Sequence, residues 1–77
     1  MEKDLVEYMA KSLVDDSSAV NVAVVEGERS TILELRVAPE DLGKVIGKQG
    51  RIAKAMRTVL QAATAKTGKN ATLEILD

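Results

Sequence analysis

Two periodicities alternate along the chain, and their order predicts its architecture. Residues 2–14 place Leu5, Val6, Met9, Ala10, Leu13 and Val14 on one face at helical spacing. Asp15-Asp16-Ser17-Ser18 breaks that pattern as a polar turn. From Ala19 to Val25 the period falls to two, with Val20, Val22 and Val24 on one face and β-branched side chains dominant. Glu26-Gly27-Glu28-Arg29 predicts a hairpin turn. The strand after it turns Leu33, Leu35 and Val37 inward and Glu34 and Arg36 outward. Pro39 suits the first turn of a short helix and Glu40 and Asp41 its positive end, with Leu42, Val45 and Ile46 as the buried edge up to Gly47.

A longer helix is expected to start after Gly50. At about 100° per residue, Ile52, Ala53, Met56, Val59, Leu60 and Ala63 share one apolar arc, and Arg51, Lys54 and Arg57 lie opposite. Gly68 is the expected stop, and a last strand from Ala71 to Leu76 points Leu73 and Ile75 inward. The order is αββααβ. It predicts an α+β two-layer sandwich, a three-stranded mixed sheet with three helices on one face. No repeat or low-complexity stretch divides the chain, so residues 1–77 are expected to form a single domain.

Composition narrows the chemistry. The chain has no cysteine and no histidine, which removes a disulfide framework, thiolate metal sites and the usual neutral-pH general base. No paired carboxylates lie near the glycines of the second half. No enzyme, cofactor or metal is expected. No apolar run approaches the roughly 18 residues of a membrane span, and Met1-Glu2-Lys3-Asp4 does not resemble a signal sequence, so membrane insertion is not expected and a cytoplasmic protein is.

Net charge is −1, but it is strongly polarised. Residues 1–41 carry ten acids and four bases. Residues 42–73 carry Lys44, Lys48, Arg51, Lys54, Arg57, Lys66 and Lys69 and no acid. Such a molecule attracts an anion at one face whatever its total charge.

That basic stretch opens on Val45-Ile46-Gly47-Lys48-Gln49-Gly50, a four-residue loop bounded by glycine between two helices. Glycine at both ends allows positive φ and close approach of another backbone. Amides at Gly50 and just beyond are expected to face outward at a helix N-terminus, beside the charges of Lys48 and Arg51. A nucleotide-binding P-loop is excluded. Leu42 stands where its first glycine belongs, and Gln49 where Ser or Thr must follow the lysine. On the tetrad alone, glycines serving only a tight turn explain the sequence equally well. The flanking aliphatic pair and the immediate restart of a helix favour a clamp on a polyanion backbone.

In this context the loop resembles the signature of the KH RNA-binding domain, which clamps about four nucleotides. The element order resembles the type II KH domain over essentially the whole chain. Asp41-Leu42-Gly43-Lys44-Val45-Ile46-Gly47-Lys48-Gln49-Gly50-Arg51 is similar to the small stand-alone bacterial KH proteins of the KhpA family. One departure is Ala53, where KH domains often carry a large aliphatic; Ile52 stands beside it. The resemblance implies broad single-stranded RNA binding of RNA-chaperone type and dimerisation. It also implies partnership with a larger RNA-binding protein of the Jag/KhpB type.

Expected RNA contacts are Lys44, Val45, Ile46, Gly47, Lys48, Gln49, Gly50, Arg51, Ile52, Lys54 and Arg57, with base reading near Arg36. Phosphates would meet the loop amides and bases, and the aliphatic shoulder of Val45, Ile46 and Ile52 would meet bases or sugars. With neither Phe nor Trp, no aromatic stacking platform is expected, and Tyr8 reads as a helix-surface or interface residue. Ala55, Ala62 and Ala65 beside Val59 form a smooth strip expected to support a homodimer. The alternative is a KH-fold protein-interaction module whose RNA binding is weak or depends on a partner. Single-stranded DNA is a further option, since a backbone clamp meets a similar polyanion in either.

Overall fold

The computed structural model describes residues 2–68 and 70–77; Lys69, one of the seven bases of the acid-free stretch, lies outside the described residues. Helix α1 (Glu2–Leu13) buries Val6 and Ala10. A 3-10 turn at Ser17–Ala19 leads into β1 (Asn21–Glu26). The Gly27 N–H donates to the Ser30 carbonyl at 2.7 Å, closing the hairpin to β2 (Ser30–Arg36). A 3-10 turn at Pro39–Asp41 then enters α2 (Leu42–Ile46). After the glycine loop come α3 (Arg51–Thr64) and β3 (Asn70–Leu76), with Gly68 at φ 76° in the connection.

The expected αββααβ order is what the structure contains. The sheet order is β1-β2-β3, with β1 antiparallel and β3 parallel to the central strand. A parallel pair cannot be joined by a hairpin, and the α2–loop–α3 segment is the crossover that joins it. Helices α1 and α3 pack on the sheet, and α2 packs on α3 and α1. Leu33, Leu35, Leu60, Leu73, Val6 and Val45 form the fully buried centre of the core.

Five apolar positions differ from the periodic reading, among them Leu13 at the end of α1, which is exposed. Val24, expected inward, is exposed: β1 is an edge strand, and its helical cover reaches Val22 but not Val24. Ile46, expected on the buried edge of α2, is also exposed, because a five-residue helix presents one full inward position and Val45 takes it. On α3 the buried set is Ala53, Met56, Leu60 and Thr64, while Val59 and Ala63 are exposed. The buried arc is thus narrower than expected and rotated toward the sheet. Thr64 is tolerated inside because its hydroxyl donates to the Leu60 carbonyl at 3.1 Å.

Asp41, expected at the positive end of a short helix, is fully buried. Its Oδ2 accepts the Asp16 N–H at 3.0 Å and its Oδ1 accepts Lys44 Nζ at 3.2 Å. Lys44 Nζ also donates to Asp15 Oδ2 at 2.9 Å. The connector after α1 is thereby fastened to the start of α2. The Asp16 N–H holds the Asp41 carboxyl below its ordinary value of 3.8; burial opposes this, and an Asp15 N–H and the Lys44 ammonium reinforce it.

A carboxyl whose pKa is lower in the folded than in the unfolded chain contributes stability above the unfolded value. It loses that contribution as pH falls through the folded value. The melting temperature is therefore expected to decline from the ordinary carboxylate range downward. Asp41→Asn should be less stable than the wild type at neutral pH and show a shallower acid limb in thermal melts. An acid limb of equal steepness in the two proteins would contradict the assignment.

Candidate functional site

The geometry of the glycine loop follows from one absent side chain. Gly47 has φ 76° and ψ 172°, a conformation open essentially to glycine alone. A Cβ there would lie 2.6 Å from Ile52 Cγ1, so the position is closed to other residues by space as well as by torsion. Ile52 is half-buried and packs against the core. The aliphatic beside Ala53 therefore holds the loop's first glycine, while Ala53 is buried beneath it.

Past Gly47 the backbone turns sharply. Gln49 sits at φ 59° and Gly50 at φ 73°, so three of the four loop residues have positive φ. Gly50 has open space where a Cβ would project, so torsion alone makes glycine the fitting residue there. The Gly47 N–H donates to the Gly43 carbonyl at 2.9 Å, and the Gly50 N–H to the Gly47 carbonyl at 3.1 Å. The Arg51 N–H donates to the Lys48 carbonyl. The Gly50 and Arg51 amides, expected to face outward, are thus engaged in closing the loop. Lys48 and Gln49, both exposed, form its crown.

The surrounding bases divide into two groups. Lys48, Arg51 and Lys54 are exposed and form no ion pair among the described residues. Arg51 Nη2 reaches Gln49 Oε1 only at a long 3.5 Å. Lys44 instead pairs with Asp15 and Asp41, and these two carboxylates hold its ammonium above its ordinary pKa. Arg57 Nε donates to the Leu73 carbonyl at 3.2 Å, tying α3 to β3.

Among the apolar residues expected at the site, Val45 is fully buried and supports the loop from below; it does not meet solvent. Ile46 is exposed and Ile52 half-exposed beside the loop. Arg36 alternates with the inward Leu33 and Leu35 and so lies on the open face of the sheet, opposite the helices.

A groove of roughly 400 Å³ runs from the loop between α1 and α3, lined by Tyr8, Met9, Leu13, Ile52, Ala55 and Val59 among others, with Arg51 at its rim. Tyr8 is 73% exposed and Val59 46%. The alanines of the expected strip, Ala55, Ala62 and Ala65, are exposed as well. Tyr8 was read as a surface or interface residue, but Leu13 beside it was missed because it fits the helical period of the core. Among the described residues there is no group of three or more Asp or Glu that could hold a metal ion. No helix among them is long and apolar enough to cross a membrane.

Comparison with known proteins agrees with this fold. Residues 3–75 match the family model described as KhpA/KhpB, KH domain. The chain is 57% identical over 76 residues to the RNA-binding protein KhpA of Borreliella burgdorferi, covering 99% of this chain and 93% of that protein. It is 62% identical over 74 residues to the RNA-binding protein KhpA of Clostridium acetobutylicum, covering 96% and 99%. Among solved structures, an Era variant from Aquifex aeolicus bound to GDP and AlF4− superposes with a TM-score of 0.65 at 20% identity, over 96% of this chain and 29% of that one. At that identity the likeness concerns the fold alone. Fold and near full-length sequence likeness coincide: the chain belongs to the KhpA/KhpB family of KH domains.

Proposed function

We propose that the protein binds single-stranded RNA through the Gly47-Lys48-Gln49-Gly50 loop, as a backbone clamp of broad sequence specificity. The observation that carries this reading is the exposed crown of a loop with three positive-φ residues, beside Lys48, Arg51 and Lys54, which are exposed and form no ion pair among the described residues. Relatives 57% and 62% identical over nearly the full length that bear the name RNA-binding protein support the choice of ligand. Lys48, Arg51 and Lys54 meet phosphates, while Ile46 and Ile52 offer an apolar shoulder to a base or sugar. A clamp that grips the backbone selects strand flexibility more than sequence, which suits an RNA chaperone acting in the cytoplasm.

Replacing Lys48 and Gln49 together by Asp places two negative charges against phosphate. Asp tolerates the left-handed torsion at position 49, so the fold survives. The double variant is expected to lose RNA binding while keeping its circular dichroism spectrum and melting temperature. With Lys48, Arg51 and Lys54 as the phosphate contacts, log K against log[salt] should fall with a slope of about −2, at about −0.7 per contact. Wild-type affinity in the double variant, or a flat salt response, would overturn the clamp.

The α1–α3 face supports self-association. Tyr8, Leu13 and Val59 are large apolar side chains left in water beside a run of small ones on α3. A second copy that presents the same patch covers it with twofold symmetry. The same face suits a larger partner of the Jag/KhpB type, as the family implies. Ala62→Glu and Val59→Glu should each convert a dimer to a monomer in light scattering, with the larger loss of thermal stability at Val59. A wild-type monomer at tens of micromolar would remove the homodimer.

A further inference from the structure

We infer that Asp41 and Lys44 are positioning residues for the glycine loop, acting through α2, and that Lys44 is not a phosphate contact. Helix α2 has only five residues and no side-chain cap at its entrance. A helix that short does not hold itself together in water. It is fixed from below by Val45 in the core and from its N-terminal end by Asp41.

Asp41 receives one bond from the Asp16 backbone, 25 residues away in sequence, and one from Lys44, which reaches on to Asp15. These bonds fasten one distant segment, the connector after α1, to the first turn of α2. The loop hangs from the other end of the same helix through the bond from the Gly47 N–H to Gly43. Gly47 sits against Ile52, where there is no room for even a methyl group, so a shift of α2 disturbs this contact. The orientation of the loop therefore depends on the clasp.

The charge balance around Lys44 points the same way. Its ammonium lies within 3.2 Å of two carboxylates, so it offers no uncompensated positive charge to a polyanion. Counterion release, which sets the salt slope, comes from cations that newly neutralise phosphates.

The loop-ordering part of this inference stands on the fold alone; its binding consequence rests on the RNA reading above. Lys44→Gln, Lys44→Arg, Asp15→Asn and Lys48→Gln in the full chain separate the two. Amide hydrogen exchange at Gly47 and Gly50 reports loop order without RNA, with the Leu33 and Leu35 amides as the internal reference for global stability. Binding of a short mixed-sequence single-stranded RNA at several salt concentrations reports affinity and slope.

In Lys44→Gln, exchange at Gly47 and Gly50 should accelerate several-fold more than at Leu33 and Leu35. RNA affinity should fall several-fold with the wild-type slope, and Lys44→Arg should restore both. Asp15→Asn, which removes only the exposed partner, should shift exchange in the same direction by less and serves if Lys44→Gln does not fold. Lys48→Gln should leave exchange at the two glycines unchanged and make the slope shallower by about 0.7. Unchanged Gly47 and Gly50 exchange in both Lys44→Gln and Asp15→Asn would overturn the positioning role. A slope in Lys44→Gln reduced as in Lys48→Gln would make Lys44 a phosphate contact. If the wild type binds no RNA, the clamp reading fails and the exchange data still decide the positioning role.

Discussion

Ile52 occupies the space that a side chain at position 47 would need, and the remainder of the site depends on that contact. It lets the end of α2 approach the first turn of α3 with only four residues between them. The chain makes so tight a connection by adopting positive φ at Gly47, Gln49 and Gly50. At Gln49, which has a Cβ, that conformation costs about 1–2 kcal/mol. Strain of this kind persists where the surroundings over-determine it, and it concentrates at ligand sites. Here the surroundings are Ile52 above a buried Ala53, Val45 beneath α2, and three backbone hydrogen bonds across the turn.

Charge follows the same division between what supports the loop and what it presents. The acid-free stretch supplies bases on both sides of the loop, yet they do different things. Lys44 faces two carboxylates, whereas Arg57 donates one N–H to a strand carbonyl and keeps its charge exposed. Lys48, Arg51 and Lys54 are exposed with no ion-pair partner among the described residues.

Much of this was legible in the sequence. Strand and helix order followed from the change of period, and the loop from two glycines at a helix junction. The crown residues Lys48 and Gln49 were read from position alone. What the sequence hid has a common physical cause: periodicity gives the face of an element but not the extent of its neighbour. Val24 lies on the inward face of β1 where cover has ended, and Val59 lies on the apolar side of α3 where α1 leaves a groove. Asp41 was illegible for a different reason. An acid after Pro39 reads as a helix-dipole partner, and the backbone groups that justify its burial come from a segment far earlier in the chain. Thr64 entered the core because its own helix satisfies its hydroxyl, which a hydropathy pattern does not register.

The central claim is that the crown of the loop, and not the open face of the sheet, meets the nucleic acid. Nuclear magnetic resonance titration of the isotopically labelled protein with a short single-stranded RNA tests it residue by residue. The largest amide shift changes should fall at Gly47, Lys48, Gln49, Gly50 and Arg51, with smaller changes at Lys54 and little at Ile32, Glu34 and Thr72 on the open face. Largest changes at Ile32, Glu34, Arg36 and Thr72, with the loop amides unmoved, would contradict it.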